Sequence, residues 1–184
     1  MGGGAVIGGA AARRYRGCVP IDITEATADD YDELFVAFSH IVGAGEGFPQ
    51  SPPLTRADFD DYWVDHSSAV HVARFGRFLT GACYIKPNFV GRAAHIANAG
   101  YFVLAPYRGN GVGRSLVEHS LGAARRLGFD AMMFNLVFKS NPARAMYRQL
   151  GFDEVGRIPG AVEGEDAVIY WRSLEDIALE DIAL

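Results

Sequence analysis

Two stretches of this chain hold residues whose types and spacing suit chemistry. The first is Tyr101-Phe102-Val103-Leu104-Ala105-Pro106-Tyr107-Arg108-Gly109-Asn110-Gly111-Val112-Gly113-Arg114-Ser115-Leu116. An apolar run of strand character passes through a glycine-rich turn into a run of helix character. The first N–H groups of a helix lack intrahelical partners and point outward with the positive end of its dipole. A diphosphate suits that position, and glycines at 109, 111 and 113 remove the Cβ atoms that would hold its oxygens off. Arg108 and Arg114 add positive charge. A bare G-x-G-x-G also describes a tight strand-to-helix turn; here the strand, the R-x-x-G-x-G spacing and the helix together favour phosphate cradling. The second stretch is Asn141-Pro142-Ala143-Arg144-Ala145-Met146-Tyr147-Arg148-Gln149-Leu150-Gly151-Phe152. Asn141 stands where a helix begins and Gly151 where it stops, so capping accounts for both; Tyr147 lies between them at a position that also suits the core.

Three further polar residues stand out. Asn98 interrupts an apolar strand, and Asn135 sits between Phe134 and Leu136. A buried amide needs partners, and its N–H groups can bind a carboxylate without a counter-charge or satisfy backbone groups where strands diverge. His95 is the titratable candidate near the central strands, which hold no Asp or Glu between Arg92 and Leu104. The other histidines, His40, His66, His71 and His119, lack metal-ligand spacing, so no metal site is expected.

The elements that must position these residues follow from hydrophobic period and turn chemistry. Val19–Thr24 reads as a strand. A helix follows Thr27 to about Ile41, with Tyr31, Leu34, Phe35 and Phe38 on one face. A glycine-rich loop from Gly43 to Pro53 holds Glu46 and Phe48, and Thr55 opens a second helix. Residues 70–75, 77–85 and 93–104 read as three consecutive antiparallel strands. A helix from Gly111 to Leu127, a strand over 129–137, a helix over 141–150 and strands over 152–157 and 167–171 complete the order β-α-α-β-β-β-α-β-α-β-β.

Length and composition bound the rest. At 184 residues, 49% apolar and 21% charged, the chain is long enough for one domain with its own core and too apolar for wholesale disorder. Its net charge of −5 gives no basic stripe, so no nucleic-acid partner is expected. Two cysteines, Cys18 and Cys83, exclude a multi-disulfide scaffold or a Cys-rich zinc module. No apolar run reaches bilayer length, and the arginines at 13, 14 and 16 follow the weakly apolar N-terminal stretch instead of preceding it as in a signal peptide. Val6 breaks the myristoylation pattern. The expectation is a soluble, cytoplasmic protein with no membrane partner. Residues 1–19 read as a flexible glycine-rich tail whose spacing fails G-x-G-x-x-G. Residues 174–184 read as a short acidic tail built on a repeated Leu-Glu-Asp-Ile-Ala, leaving 20–173 as the domain.

The two chemical segments, in this order and separated by one strand, resemble the GNAT superfamily of N-acetyltransferases. The resemblance implies an α/β (α+β) fold: a central mixed, mostly antiparallel sheet splayed between its two middle strands and flanked by about four helices. It implies acetyl-CoA as co-substrate, its pyrophosphate on the backbone of Arg108–Arg114, where Gly109, Asn110, Gly111, Val112 and Gly113 lie. Its pantetheine would pair beside Phe102, Val103 and Leu104 and touch Asn141. Tyr147 would protonate the leaving thiolate. A thiol has a pKa of about 8.5 and a tyrosine about 10, so donation is uphill by only about 2 kcal/mol. The donor would act as the thiolate leaves.

The strings Tyr84-Ile85-Lys86-Pro87-Asn88-Phe89-Val90-Gly91-Arg92, His95-Ile96-Ala97-Asn98-Ala99-Gly100-Tyr101, Phe134-Asn135-Leu136-Val137-Phe138 and Gly156-Arg157-Ile158-Pro159 narrow the resemblance. They are similar to the fungal proline-analogue acetyltransferases that detoxify azetidine-2-carboxylate, and to their bacterial relatives. That likeness puts Asn98 and Asn135 at the acceptor site. The loop from Glu46 to Pro53 follows the first helix, where the fold commonly builds its acceptor wall, so Phe48 would line the pocket with Glu46 nearby. It implies acetyl transfer to a small amine, such as a proline analogue or another amino-acid-like compound, with both substrates bound together. For the base, the alternatives are His95, water relayed through backbone carbonyls, and an acceptor that arrives neutral. Aminoglycosides, polyamines and protein N-termini are rival acceptors, and a non-catalytic CoA-binding regulatory module is the rival from another class. Homodimers are common in the superfamily, but no interface is identifiable from the sequence.

Overall fold

The structure, a computed structural model, describes residues 21–178. The glycine-rich stretch 1–19 and the second copy of the terminal repeat lie outside the described residues. In chain order the elements are β1 (Asp22–Glu25), α1 (Tyr31–Gly43), α2 (Arg56–Phe59, continued by a π-helical turn over Asp60–Asp65), β2 (Ala69–Phe75), β3 (Phe78–Pro87), β4 (Ile96–Val103), α3 (Val112–Arg126), β5 (Ala131–Phe138), α4 (Arg144–Gln149), β6 (Asp153–Val162) and β7 (Glu165–Ser173). Thr27 and Thr55 start the first two helical segments as the sequence predicts. The Thr27 N–H donates to the Asp30 carboxylate at 2.8 Å and the Thr55 N–H to that of Asp58 at 3.0 Å.

The seven strands form one sheet in the order β1-β2-β3-β4-β5-β7-β6. All neighbours are antiparallel except β4 and β5, which are parallel and pair only at Ile96↔Ala131 and Ala97↔Met132. Beyond Ala97 the two strands part. The sheet is thus mixed, mostly antiparallel, and splayed at its middle, as expected. One face packs on α1 and α2 through Leu34, Phe38, Phe59, Trp63 and Phe102. The other packs on α3 and α4 through Val117, Leu121, Met132, Phe134 and Tyr147.

The closing hairpin is longer than the sequence suggests. Pro159-Gly160 reads as a loop, yet β6 runs on to Val162 through a register shift between Ile158 and Val162, with Gly160 at φ 59°. Glu163 and Gly164 then make a tight turn with φ 50° and 84°, the twist that a two-residue hairpin connection requires. Strand β4 is shorter than expected: a 3₁₀ turn occupies Gly91–Ala93, so the strand begins at Ile96.

Candidate active site

The segment between β4 and α3 builds a donor cradle. Gly109 and Gly111 sit at φ 75° and 85°, where a side chain would be strained, and Gly111 caps α3. The first N–H of this segment to find a carbonyl is that of Ser115, which donates to Gly111 at 3.0 Å. The N–H groups from Gly109 through Arg114 have no partner among the described residues. Six unpartnered donors at the positive end of a 15-residue helix suit an anion. The Asn110 amide bonds the Tyr107 and Arg108 carbonyls and stiffens the turn. Both arginines are engaged within the protein. Arg108 pairs with Glu46, holding that carboxyl below its ordinary range, and donates to the Val103 carbonyl at 3.0 Å. Arg114 reaches Glu118 at 3.0 Å and Gln149 at 3.3 Å.

Parting of β4 from β5 leaves one edge of β4 open. The Leu104 N–H bonds to Thr80 and the Ile96 carbonyl accepts from Asn88, so even-numbered residues of β4 direct their backbone toward β3. By alternation, Ala99, Tyr101 and Val103 direct theirs into the split. Of Phe102, Val103 and Leu104, only Val103 can pair with a guest along this edge. The Phe102 side chain is buried in the α1/α2 core.

Two clefts open along the split. The larger, about 1040 Å³, is walled by the α1–α2 loop, β4 and Arg108 on one side, and by Phe138, Asn141 and the β6–β7 turn on the other. The smaller, about 360 Å³, is lined by Phe48, Tyr62, Tyr84, Asn98, Asn135 and Tyr147, among others. The clefts share Gly47, Phe48, Pro49, Tyr101 and Asn141. Phe48, held edge-on to Phe38 at 4.8 Å, is therefore a wall between them. The Asn141 side-chain oxygen accepts from the Ala143 N–H at 2.9 Å in the turn ahead of α4, whose cap position is Ala143 and not Asn141 as the sequence suggests; its amide N–H groups are left to the cleft.

Tyr147 lies at the inner cleft, 7% exposed, its ring packed on Phe134 at 4.9 Å and Tyr170 at 5.6 Å. Burial first, and then Tyr170, raises its pKa, so the phenol is protonated at neutral pH. The other buried tyrosines have committed hydroxyls: Tyr101 to Ser120, Tyr84 to Tyr62, and Tyr170 to Glu154. Tyr147's hydroxyl has no hydrogen-bond partner among the described residues. Its helix is anchored by Arg144, which donates to the Tyr170 hydroxyl, the Lys139 carbonyl and Glu154. Hydrogen bonds donated to Glu154 by the Tyr170 hydroxyl, then Arg144 and Arg148, push its carboxyl down to about 2.

Asn98 and Asn135 come together across the split, as the sequence suggests, but through a residue it does not single out. The Asn98 amide donates to the Asn88 side-chain oxygen at 3.2 Å, and Asn88 and Asn135 exchange two hydrogen bonds, 3.0 and 2.5 Å. The amides satisfy one another instead of the backbone. Asn135 is exposed instead of buried, because it lies in a bulge of β5 between Phe134 and Val137 with no strand over it. Sequence reasoning missed Tyr62, Tyr84, Lys86 and Asn88. Residues 84, 86 and 88 share one face of β3 and its end, and that polar row on an otherwise apolar strand was the available signal. Tyr84 crosses β4 only because residue 100 is glycine: a Cβ there would lie 2.4 Å from its ring.

His95 stands apart from the clefts. It is exposed, precedes β4, and bonds the Arg92 carbonyl through Nδ1 at 3.1 Å; it lines neither cleft. The later start of β4 is the reason. Cys83 is wholly buried beneath α3, with its thiol pushed up to about 12 by burial, and it too is outside the clefts. Among the described residues, no three His, Cys, Asp or Glu side chains are grouped to hold a metal, and no helix is long and apolar enough to cross a membrane.

Comparison with known proteins agrees with this architecture. The family model described as the acetyltransferase (GNAT) family matches residues 29–152. The N-acetyltransferase aca1 of Schizosaccharomyces pombe is 29% identical over 189 residues, covering 86% of this chain and 90% of that protein. A GCN5-related N-acetyltransferase from Kribbella flavida superposes with a TM-score of 0.77 at 30% identity, covering 83% of this chain and 97% of that one. A phosphinothricin acetyltransferase from Sinorhizobium meliloti, solved in complex with AcCoA, has a TM-score of 0.74 at 19% identity, over 83% and 88% of the two chains, and so shares the fold. The family match spans the split strands, the glycine cradle and the tyrosine helix, and by it the chain belongs to the GNAT acetyltransferase family, as an acyltransferase.

Proposed function

We propose that this protein transfers acetyl from acetyl-CoA to the amine of a small, amino-acid-like molecule, with both substrates bound at once. The observation that carries the reading is the meeting of two clefts at Tyr101 and Asn141, with the uncommitted Tyr147 hydroxyl at the inner one. When bound, acetyl-CoA supplies an acyl group activated as a thioester. The cradle N–H groups of Gly109–Arg114 would hold its pyrophosphate, and the open edge of β4 at Tyr101 and Val103 its pantetheine arm. Asn141 would donate to that arm.

N–H groups of β4 that face the split can hold a carbonyl oxygen, and the fixed walls orient acceptor and thioester together. Tyr147 keeps its proton until the sulfur needs one. Because burial raises its pKa, that transfer is harder than for a tyrosine in water, and it depends on the sulfur being close. No carboxylate or histidine lines the inner cleft among the described residues. The acceptor amine therefore enters neutral or passes its proton to water. At pH 7 about one in a thousand such amines is neutral, a penalty of about 4 kcal/mol, so the rate is expected to rise with pH toward the amine's pKa. Direct transfer is also favoured by Cys83, which is too deeply buried to carry an acyl group.

The test is release of free CoA from acetyl-CoA across azetidine-2-carboxylate, proline analogues, other amino acids, polyamines and aminoglycosides. Thiol release with a cyclic amino acid, lost in Asn135→Ala while acetyl-CoA still binds, supports the reading. Activity confined to polyamines or aminoglycosides would keep the chemistry and remove the amino-acid-like acceptor. Binding of acetyl-CoA with no transfer to any amine would favour a non-catalytic CoA-binding module.

A further inference from the structure

The inner cleft has a charge asymmetry that the reaction itself does not require. Lys86, one of two lysines in the chain, is the only ionisable Lys, Arg, His, Asp or Glu among the residues that line it. It forms no ion pair among the described residues, whereas Lys139, the other lysine, lies 4.0 Å from Asp166. Its ammonium lies over the faces of Tyr62 at 4.3 Å and Tyr84 at 4.7 Å, with one long hydrogen bond to the Tyr62 carbonyl, 3.4 Å. Two aromatic faces hold the cation in place without neutralising it. Tyr84's hydroxyl is fixed by Tyr62 at 3.0 Å, so the seat is rigid.

Lys86 is also placed beside the amides. It pairs in register with Asn98 across β3 and β4, so the two side chains project from the same face. Asn98, Asn88 and Asn135 carry six amide N–H groups between them, and their three mutual hydrogen bonds use only three. The cleft therefore combines an unpaired ammonium with surplus N–H donors. The lining also holds the aromatic rings of Phe48, Phe134 and Tyr147.

We infer that Lys86 selects acceptors that carry an anionic group beside the amine: its ammonium, with the surplus amide N–H groups of the asparagine cluster, anchors a carboxylate-like group and repels polycations. This inference rests on the acetyltransfer reading for its identification of the inner cleft as the acceptor site. It adds the charge class of the acceptor and a specificity residue on β3. Burial lowers the Lys86 pKa and the nearby Asp61 opposes that, so an incoming carboxylate would favour the charged ammonium. An acceptor without an anion leaves that half-buried cation without a partner.

The experiment measures binding apart from turnover. Calorimetry in the presence of CoA would compare N-acetylproline and N-acetylglycine with their primary amides, for the wild type, Lys86→Gln and Lys86→Arg. Acetyl-CoA affinity, titrated for each variant, reports whether the fold and cofactor site are intact. The wild type is expected to bind the carboxylates about tenfold to a hundredfold more tightly than the amides, the range for a charge-assisted hydrogen bond. Lys86→Gln should erase that preference and Lys86→Arg should retain most of it. Equal binding of carboxylate and amide by the wild type, no carboxylate binding at all, or a preference that survives Lys86→Gln would overturn the inference. Thiol release separates the two readings: transfer to neutral or cationic amines alone leaves the acetyltransferase standing and removes the anion anchor.

Discussion

Acidification should loosen the sheet from α3 through one pair of residues. His71 on β2 and His119 on α3 face each other with ring centroids 4.6 Å apart, and His71 is only 7% exposed. His71 Nδ1 and His119 Nε2 are buried without hydrogen-bond partners among the described residues. Burial, then His71 and Arg126, depress the His119 pKa from 6.5 to about 4; burial and Arg126 lower that of His71. The folded state thus prefers both rings neutral, while the unfolded chain accepts protons near pH 6.5. The stability they contribute is full above 6.5 and is lost as pH falls from 6.5 toward about 4. At 1.36 kcal/mol per pH unit, His119 alone could cost at most about 3.4 kcal/mol. Its ring is only partly enclosed, so solvent screening halves this to about 1.7 kcal/mol. About 1 kcal/mol of it should fall between pH 7 and pH 5, before most carboxylates titrate. Urea unfolding of wild type and His119→Gln at pH 7, 6 and 5 reads the difference, which corresponds to about 2–4 °C in Tm for a chain of this size. Stability that declines in parallel for the two proteins would mean that His119 does not carry the pH dependence.

Three further outcomes follow from the geometry. Gly100→Ala places a Cβ 2.4 Å from the Tyr84 ring, which Tyr62 and Trp63 hold in place, so it should cost about 1–3 kcal/mol in denaturant unfolding. The same variant should raise the acceptor KM more than that of acetyl-CoA; the reverse order would mean Tyr84 does not shape the inner cleft. Gly111→Ala forces a side chain onto φ 85° at the start of α3, with strain of about 1–2 kcal/mol. Titration should show acetyl-CoA binding weakened about tenfold in that variant, and unchanged affinity would remove the cradle from the cofactor site.

Much of this architecture was legible because it rests on local signals. The Thr27 and Thr55 caps, the 3.6-residue stripe of α1 and the glycine turn before α3 each declare themselves within a few residues. Strand ends were less legible. Gly160 lets β6 continue past Pro159 through a register shift, which cross-strand pairing decides and local propensity does not. The site divides along the same line. Tyr147, Asn141 and the glycine cradle sit in compact motifs, so their places could be anticipated. Lys86 and Asn88 act through partners 10 to 47 residues away, such as Asn98 and Asn135, and only the parting of β4 from β5 brings them together. His95 shows the converse. Its neighbourhood in sequence suggested the central strands, but β4 starts at Ile96, three residues later than the sequence suggests, and the ring turns to Arg92.

Tyr147 as the proton donor at an acetyl-CoA thioester held between the two clefts is open to direct test. Tyr147→Phe removes one hydroxyl that has no protein partner and keeps the ring contacts with Phe134 and Tyr170, so the fold should persist. Thiol release should be measured with the best acceptor from the amine panel, alongside direct titration of acetyl-CoA. Acetyl-CoA affinity should stay within about twofold of wild type while kcat falls by about a hundredfold or more, the usual scale of a lost general acid. Unchanged kcat with intact acetyl-CoA binding would contradict that role.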